Sequence, residues 1–153
     1  MLKSTVLYDS PIGRIYLAES DGVITDLRFS PVHGAVIQET PLMAQAISQL
    51  HEYFAGTRRV FDLPLAPSGT EFQEKAWRAL LAIPYGETRS YKEQAVAVGN
   101  DRAFRAVGMA NNKNPISVII PCHRVIGADK SLTGYGGGLG IKRFLLEHET
   151  KYN

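Results

Sequence analysis

The chain has 153 residues, 44% hydrophobic and 21% charged, which is enough apolar material for one ordinary domain or two small ones and excludes wholesale disorder. The net charge of +2 names no partner, but it is unevenly spread: residues 1–65 carry 5 Lys/Arg against 7 Asp/Glu, and residues 66–153 carry 12 against 8. A basic second half suits a polyanion and suits an uneven solvated surface equally well. No apolar run approaches the length of a membrane span, and residues 1–20 lack a signal-peptide pattern, so a cytoplasmic protein away from membranes is expected.

In chain order, residues 5–8, 14–18 and 23–29 alternate and are rich in Val, Ile, Leu and aromatics. Ser10-Pro11-Ile12-Gly13 and Ser20-Asp21-Gly22 separate them with turn chemistry, which predicts a three-stranded antiparallel meander. Residues 41–54 repeat apolar side chains at helical spacing up to Gly56, and residues 58–63 read as extended. The stretch 65–69 (Leu-Ala-Pro-Ser-Gly) is the best linker, which predicts domains at 1–65 and 70–153.

Beyond the linker the pattern turns helical. Thr70 caps a helix through Leu81, stopped by Pro84-Tyr85-Gly86. Ser90 caps a second helix over 91–98, ended by Gly99-Asn100, and Asp101 is expected to cap a third over 102–111. Two short helices joined by a tight turn outline a helix-turn-helix. An αα corner has the same outline. Ala103, Ala106 and Ala110 form a small-residue stripe beside Arg105, which suits close helix packing or entry into a narrow groove. Residues 116–120 form an apolar β-like run, 133–140 a glycine-rich loop, and 139–149 a last helix.

Cys122 is the single cysteine, so neither an internal disulfide nor a cysteine-based zinc cluster is available. It is either an inert buried thiol or a reactive one, and its neighbours bear on the choice. His123 and Arg124 adjoin it, although adjacent residues in extended chain point apart unless the backbone turns, as Pro121 allows. In the last helix Ile141, Phe144, Leu145, His148 and Glu149 share one face, which puts a carboxylate on apolar ground where it needs a partner. A frayed helix end with Glu149 in solvent is the other reading. The loop Gly134-Tyr135-Gly136-Gly137-Gly138 lacks the spacing of a phosphate-binding motif and reads as flexible backbone that a ligand can approach.

Together these residues resemble one family. Pro121-Cys122-His123-Arg124-Val125 is similar to the active-site signature of the 6-O-alkylguanine-DNA alkyltransferases, the methylated-DNA–protein-cysteine methyltransferases. Phe72-Gln73 through Trp77, Ile83-Pro84-Tyr85-Gly86, Ser90-Tyr91, Arg105-Ala106-Val107-Gly108, Asn114-Pro115, Gly134-Tyr135 and Leu145-Leu146-x-His148-Glu149 follow in the family's order. The match is close over 70–150 and holds in outline before it.

The resemblance implies an α/β (α+β) fold. Its first part is a ribonuclease-H-like sheet plus helix, and its second a helical, winged-helix-like domain bearing the helix-turn-helix. It implies DNA repair by irreversible, single-turnover alkyl transfer from O6 of a flipped guanine to Cys122. His123 then resembles the base acting through water, Glu149 the residue that orients it, Asn114 a brace, and Tyr91 the phenol that assists the leaving guanine. Arg105 resembles the finger that fills the base stack, with Ala103, Phe104, Ala106 and Ser90 facing DNA. Val125, Tyr135 and Gly136 resemble the lesion pocket. Phe104 and Gly136 depart from the smaller residue and the Ser or Ala usual at those positions. Neither cofactor nor zinc is implied. The implied partner is duplex DNA carrying 6-O-alkylguanine, with 4-O-alkylthymine as a further lesion, and a monomer is expected. A lesion-binding protein with an idle thiol and a thiol hydrolase or redox enzyme are the competing readings.

Overall fold

The computed structural model describes residues 2–153, and the chain divides into two compact units. Among the described residues one comprises 2–68 with 115–119 and Tyr152, the other 69–114 with 120–151 and Asn153. Among the described residues no helix is long and apolar enough to cross a membrane.

In the first unit β1 (Ser4–Ser10), β2 (Gly13–Ser20) and β3 (Val23–Arg28) form the expected meander. The β2–β3 reversal places Asp21 and Gly22 at φ 53° and 78°, the positive-φ pair that a tight hairpin of the right twist requires. The sheet is not purely antiparallel, however. A two-residue strand β4 (Val36–Ile37) adds parallel to β1, giving the order β3-β2-β1-β4. The helix α1 (Pro41–Phe54), capped by the Thr40 hydroxyl, buries Met43, Ala46, Leu50 and Tyr53. Ile15, Leu17, Ile24 and Leu27 of the sheet are fully buried as well. Residues 58–63 form no regular strand, and the Gln49 side chain pins them through both its amide atoms to the backbone of Asp62.

The expected strand at 116–120 is absent too. Ile116 makes one isolated bridge to Leu27. Val118 then turns to φ 71° while the Ile119 amide bonds back to the Ser117 carbonyl at 2.8 Å. That is the geometry of a tight three-residue turn, costly for a β-branched residue. Apolar composition alone could not distinguish this buried turn from a buried strand.

In the second unit α2 (Glu71–Leu81) and α3 (Tyr91–Ala97) start at Thr70 and Ser90, each with a reciprocal capping box to Gln73 or Glu93. α4 (Phe104–Asn112) begins two residues later than expected. Asp101 does not cap it. The Asn100 side chain instead accepts from the Arg102 amide and holds 101–103 in a turn, which leaves Ala103 as an N-cap without a side-chain bond. Ala76, Ala95, Val98, Val107 and Ala110 make the core of α2–α4. Inside it Gln94 and Asn111 exchange two hydrogen bonds of 2.8 Å, and the Trp77 indole donates to the Ala110 carbonyl. These satisfied amides fix the angle of α3 on α4, because any other register would leave them unpaired. A short parallel pair, β5 (Arg89–Ser90) and β6 (Val125–Ile126), and the helix α5 (Leu139–Lys151) complete the unit.

Candidate active site

The backbone turn that Cys122 needs is present. At Pro121 (φ −83°, ψ 64°) the chain makes a second three-residue turn, with the Cys122 amide donating to the Ile120 carbonyl at 2.8 Å. A single 3₁₀ turn, Cys122–Arg124, follows, so the adjacent Cys and His are no longer on opposite faces of a strand. The Asn114 amide donates to the same Ile120 carbonyl at 2.8 Å, bracing the residue two before the thiol.

All three residues of the turn are buried, and His123 is fully so. His123 Nε2 lies 2.7 Å from Glu149 Oε2 on α5. An ionised carboxylate only accepts, so Nε2 carries the proton and Nδ1 the lone pair. That Nδ1 is buried and has no hydrogen-bond partner. Glu149 is therefore not a frayed end. It also receives a two-pronged contact from Arg124, Nε to Oε1 at 2.8 Å and Nη2 to Oε2 at 3.1 Å, and the Gly86 amide at 3.2 Å. Arg124 in turn donates Nη1 to the Ile83 carbonyl at 2.7 Å and lies over the Tyr85 ring.

The protonation states follow from these contacts. Burial raises the Glu149 carboxyl, but the hydrogen bonds and charges of His123 and Arg124 outweigh it and hold it well below the usual carboxylate range. Burial lowers His123, and Glu149 only partly restores it, so the imidazole is neutral near pH 7. Burial also raises the Cys122 thiol, against the opposing pull of Asn114 and the Lys142 charge. The resting site is thus a neutral thiol, a neutral imidazole and a carboxylate. For Cys122 to act as a nucleophile its proton would have to leave, and Nδ1 of His123, which has no hydrogen-bond partner, is a group able to accept one.

A second cluster lies along α4. Tyr91, Phe104, Arg105, Gly108, Met109, Asn112, Thr133 and Gly134 line an open groove of about 360 Å³. The Tyr91 hydroxyl donates to the Thr133 carbonyl at 2.9 Å and accepts from the Thr133 hydroxyl at 3.1 Å. Phe104 and Arg105 are exposed on the first turn of α4, with the guanidinium 5.8 Å from the Phe104 ring. Ala106 is exposed and lines a different groove, with Thr70, Phe72 and Lys113, while Ala103 is half-buried against the helical core. Ser90 is spent on capping α3. Val125 is fully buried in β6, and a side chain added at the exposed Gly136 would meet nothing within 4 Å.

Sequence reasoning treated Arg124 as a positive charge beside the thiol, whereas its guanidinium grips Glu149. It missed the Gly86 amide, and it missed Lys142. The buried face of α5 is Lys142, Leu145, His148 and Glu149, while Phe144 is partly exposed and stacks on His148. Lys142 lies three residues before Leu145 and seven before Glu149, so the spacing held the signal, and the usual exposure of lysine hid it. Among the described residues no cluster of His, Cys, Asp or Glu could hold a metal.

Fold and site define a helix-turn-helix protein built around one buried thiol with a histidine–carboxylate pair at its side. Residues 71–151 match the family model described as 6-O-methylguanine DNA methyltransferase, DNA binding domain, and residues 5–67 match its ribonuclease-like domain. A methylated-DNA–protein-cysteine methyltransferase of Methanosarcina barkeri is 51% identical over 149 residues, covering 94% of each chain. One of Mycobacterium leprae is 52% identical over 146 residues, covering 92% of this chain and 88% of that one. The crystal structure of the Mycobacterium tuberculosis O6-methylguanine methyltransferase superposes with a TM-score of 0.92 at 47% identity, covering 99% of this chain and 95% of that one. The crystal structure of an OGT of the same organism in complex with DNA gives 0.89 at 49% identity, covering 99% and 94%. The chain belongs to the 6-O-methylguanine DNA methyltransferase family.

Proposed function

We propose that the protein repairs duplex DNA by moving an alkyl group from O6 of guanine to the sulfur of Cys122, once per molecule. The observation that carries this reading is the buried turn holding Cys122 beside His123, whose Nε2 is fixed on Glu149 at 2.7 Å while Nδ1 stays open. In the reaction the thiol proton passes through water to Nδ1 of His123, and Glu149 stabilises the imidazolium. The Cys122 sulfur attacks the alkyl carbon, forming the S–C bond as the C–O6 bond breaks. The electrons return to guanine, and the Tyr91 hydroxyl, released from Thr133, hydrogen-bonds or protonates the departing ring. Asn114 braces the turn.

The alkyl carbon is out of reach in a stacked duplex, so the base must be flipped. Arg105, at the exposed start of α4, would fill the vacated stack, with Phe104, Ala103, Ala106 and Ser90 nearest the DNA backbone and groove. Val125, Tyr135 and Gly136 would wall the pocket, and the open space at Gly136 favours room for groups larger than methyl. We assign DNA binding and transfer to residues 70–153 and a supporting role to residues 1–65. The protein works as a cytoplasmic monomer on 6-O-alkylguanine, with 4-O-alkylthymine as a further lesion. A thioether has no easy return to thiol, so no turnover is expected.

Intact-protein mass spectrometry after incubation with a duplex bearing one 6-O-methylguanine tests the reading. It requires a gain of one methylene's mass on Cys122, absent with undamaged DNA and absent in Cys122→Ala. Tight binding without a mass gain would leave a lesion-binding protein with an idle thiol.

A further inference from the structure

Lys142 is an anomaly. It is fully buried in the first turn of α5, yet among the described residues it has no carboxylate partner. Its ammonium is held by two neutral acceptors only, the Val125 carbonyl at 2.6 Å and the Thr133 carbonyl at 2.8 Å. A buried ammonium without a counter-charge is expensive, and an apolar side chain of the same length would fill the space at lower cost. The two acceptors suggest what the charge is for. Val125 follows the 3₁₀ turn of Cys122, and the Thr133 carbonyl is the one on which the Tyr91 hydroxyl hangs. The ammonium also lies 5.9 Å from the centre of the Tyr91 ring.

Among the described residues no other hydrogen bond anchors that carbonyl. Thr133 is exposed, and it leads into Gly134-Tyr135-Gly136-Gly137-Gly138, where four glycines supply no side chains to pack. Three donors therefore meet at two groups. Lys142 and the Tyr91 hydroxyl share the Thr133 carbonyl, and the Thr133 hydroxyl donates back to Tyr91.

We propose that Lys142 is a positioning residue for alkyl transfer, tying the Thr133 carbonyl to α5 and β6 so that the Tyr91 phenol is presented to the leaving base. This rests on the alkyl-transfer reading and on the role given there to Tyr91. An ammonium occupying one side of the carbonyl also weakens its hold on the phenol, because a polarised acceptor attracts a second donor less. Tyr91 can then exchange Thr133 for the guanine ring without the loop moving.

The test is a double-mutant cycle read by the rate of methyl gain from 6-O-methylguanine duplex, with iodoacetamide alkylation of Cys122 as the comparison. Iodoacetamide needs the thiol and does not need Tyr91. Lys142→Met is expected to slow methyl transfer about tenfold or more in the wild-type background and less than about twofold in Tyr91→Phe, the non-additivity of residues acting through one another. Iodoacetamide alkylation should change far less than transfer. Equal slowing of both reactions would mean that Lys142 acts on the thiol, and additive penalties would mean a merely structural role. Either overturns the proposal while leaving wild-type transfer intact. Wild-type protein that gains no methyl would instead sink the functional reading and this proposal with it. Should Lys142→Met fail to fold, Lys142→Gln keeps a neutral donor at the same place and is read by the same cycle.

Discussion

Each unit of the molecule buries one carboxylate between two basic side chains, and the two arrangements differ most in how far those partners reach solvent. In the first unit Asp26 on β3 is 1% exposed and bound at 2.7 Å by both Lys3 and Arg28. In the second Glu149 on α5 is also 1% exposed and bound by His123 and Arg124. Burial alone would raise both carboxyls, and in both the partners reverse it and hold them below their ordinary range. The partners of Asp26 stand 38% and 48% exposed, whereas those of Glu149 are buried at 0% and 9%. Water can take over from Asp26 if it is lost. Around Glu149 both partners are shielded from solvent. A buried carboxylate with solvated partners fastens a surface strand. One whose partners are buried, with a titratable ring unpaired at its second nitrogen, has the parts of the proton path proposed for transfer.

The strongest way to break this contrast is at Glu149 itself. Glu149→Gln keeps the volume and removes the charge that stabilises a protonated His123, so methyl transfer should slow by about a hundredfold with DNA affinity unchanged. A rate within about threefold of wild type would remove the relay. Measured by urea unfolding, Arg124→Met should cost about 3 kcal/mol, because it strips one charge of a buried pair, whereas Asp26→Asn, with solvated partners, should cost about 1 kcal/mol. Equal costs would show that exposure of the partners is not what separates the two sites.

The most gradual effect is in the pH dependence. His123 is held below its ordinary value of about 6.5, so the unfolded chain takes up this proton first and stability falls as pH drops below about 6.5. The slope is at most about 1.4 kcal/mol per pH unit, and His123→Asn should flatten it. Glu149 and Asp26 are depressed as well, so their contributions are complete above about pH 5 and drain as pH falls further, towards their folded values. If His123 is the base proposed for transfer, transfer should persist to a lower pH than a free imidazole would allow.

Much of this was legible in the residues. Pro41–Phe54 and the helices after Thr70 and Ser90 fall where periodicity and capping put them, because those signals are local. Two expectations failed where an apolar or polar side chain had more than one use. The run from Ile116 to Ile120 is buried around a turn at Val118 in place of a strand, and Asn100, one residue before Asp101, holds the entry to α4.

Motif and spacing along the chain were enough for the family, the three-stranded meander, the helices after Thr40, Thr70 and Ser90, the lone thiol and its candidate histidine and carboxylate, while β4, β5 and β6 left no readable signal. What those groups face came from the fold. Glu149 lies 26 positions from His123, and only the family resemblance pointed to that pairing; Lys142 lies 9 from Thr133, and nothing along the chain pointed to theirs. The same fold turned Arg124 from the thiol to the carboxylate and buried a lysine, because a buried charge goes where the structure offers oxygen atoms, and local sequence does not record where those are.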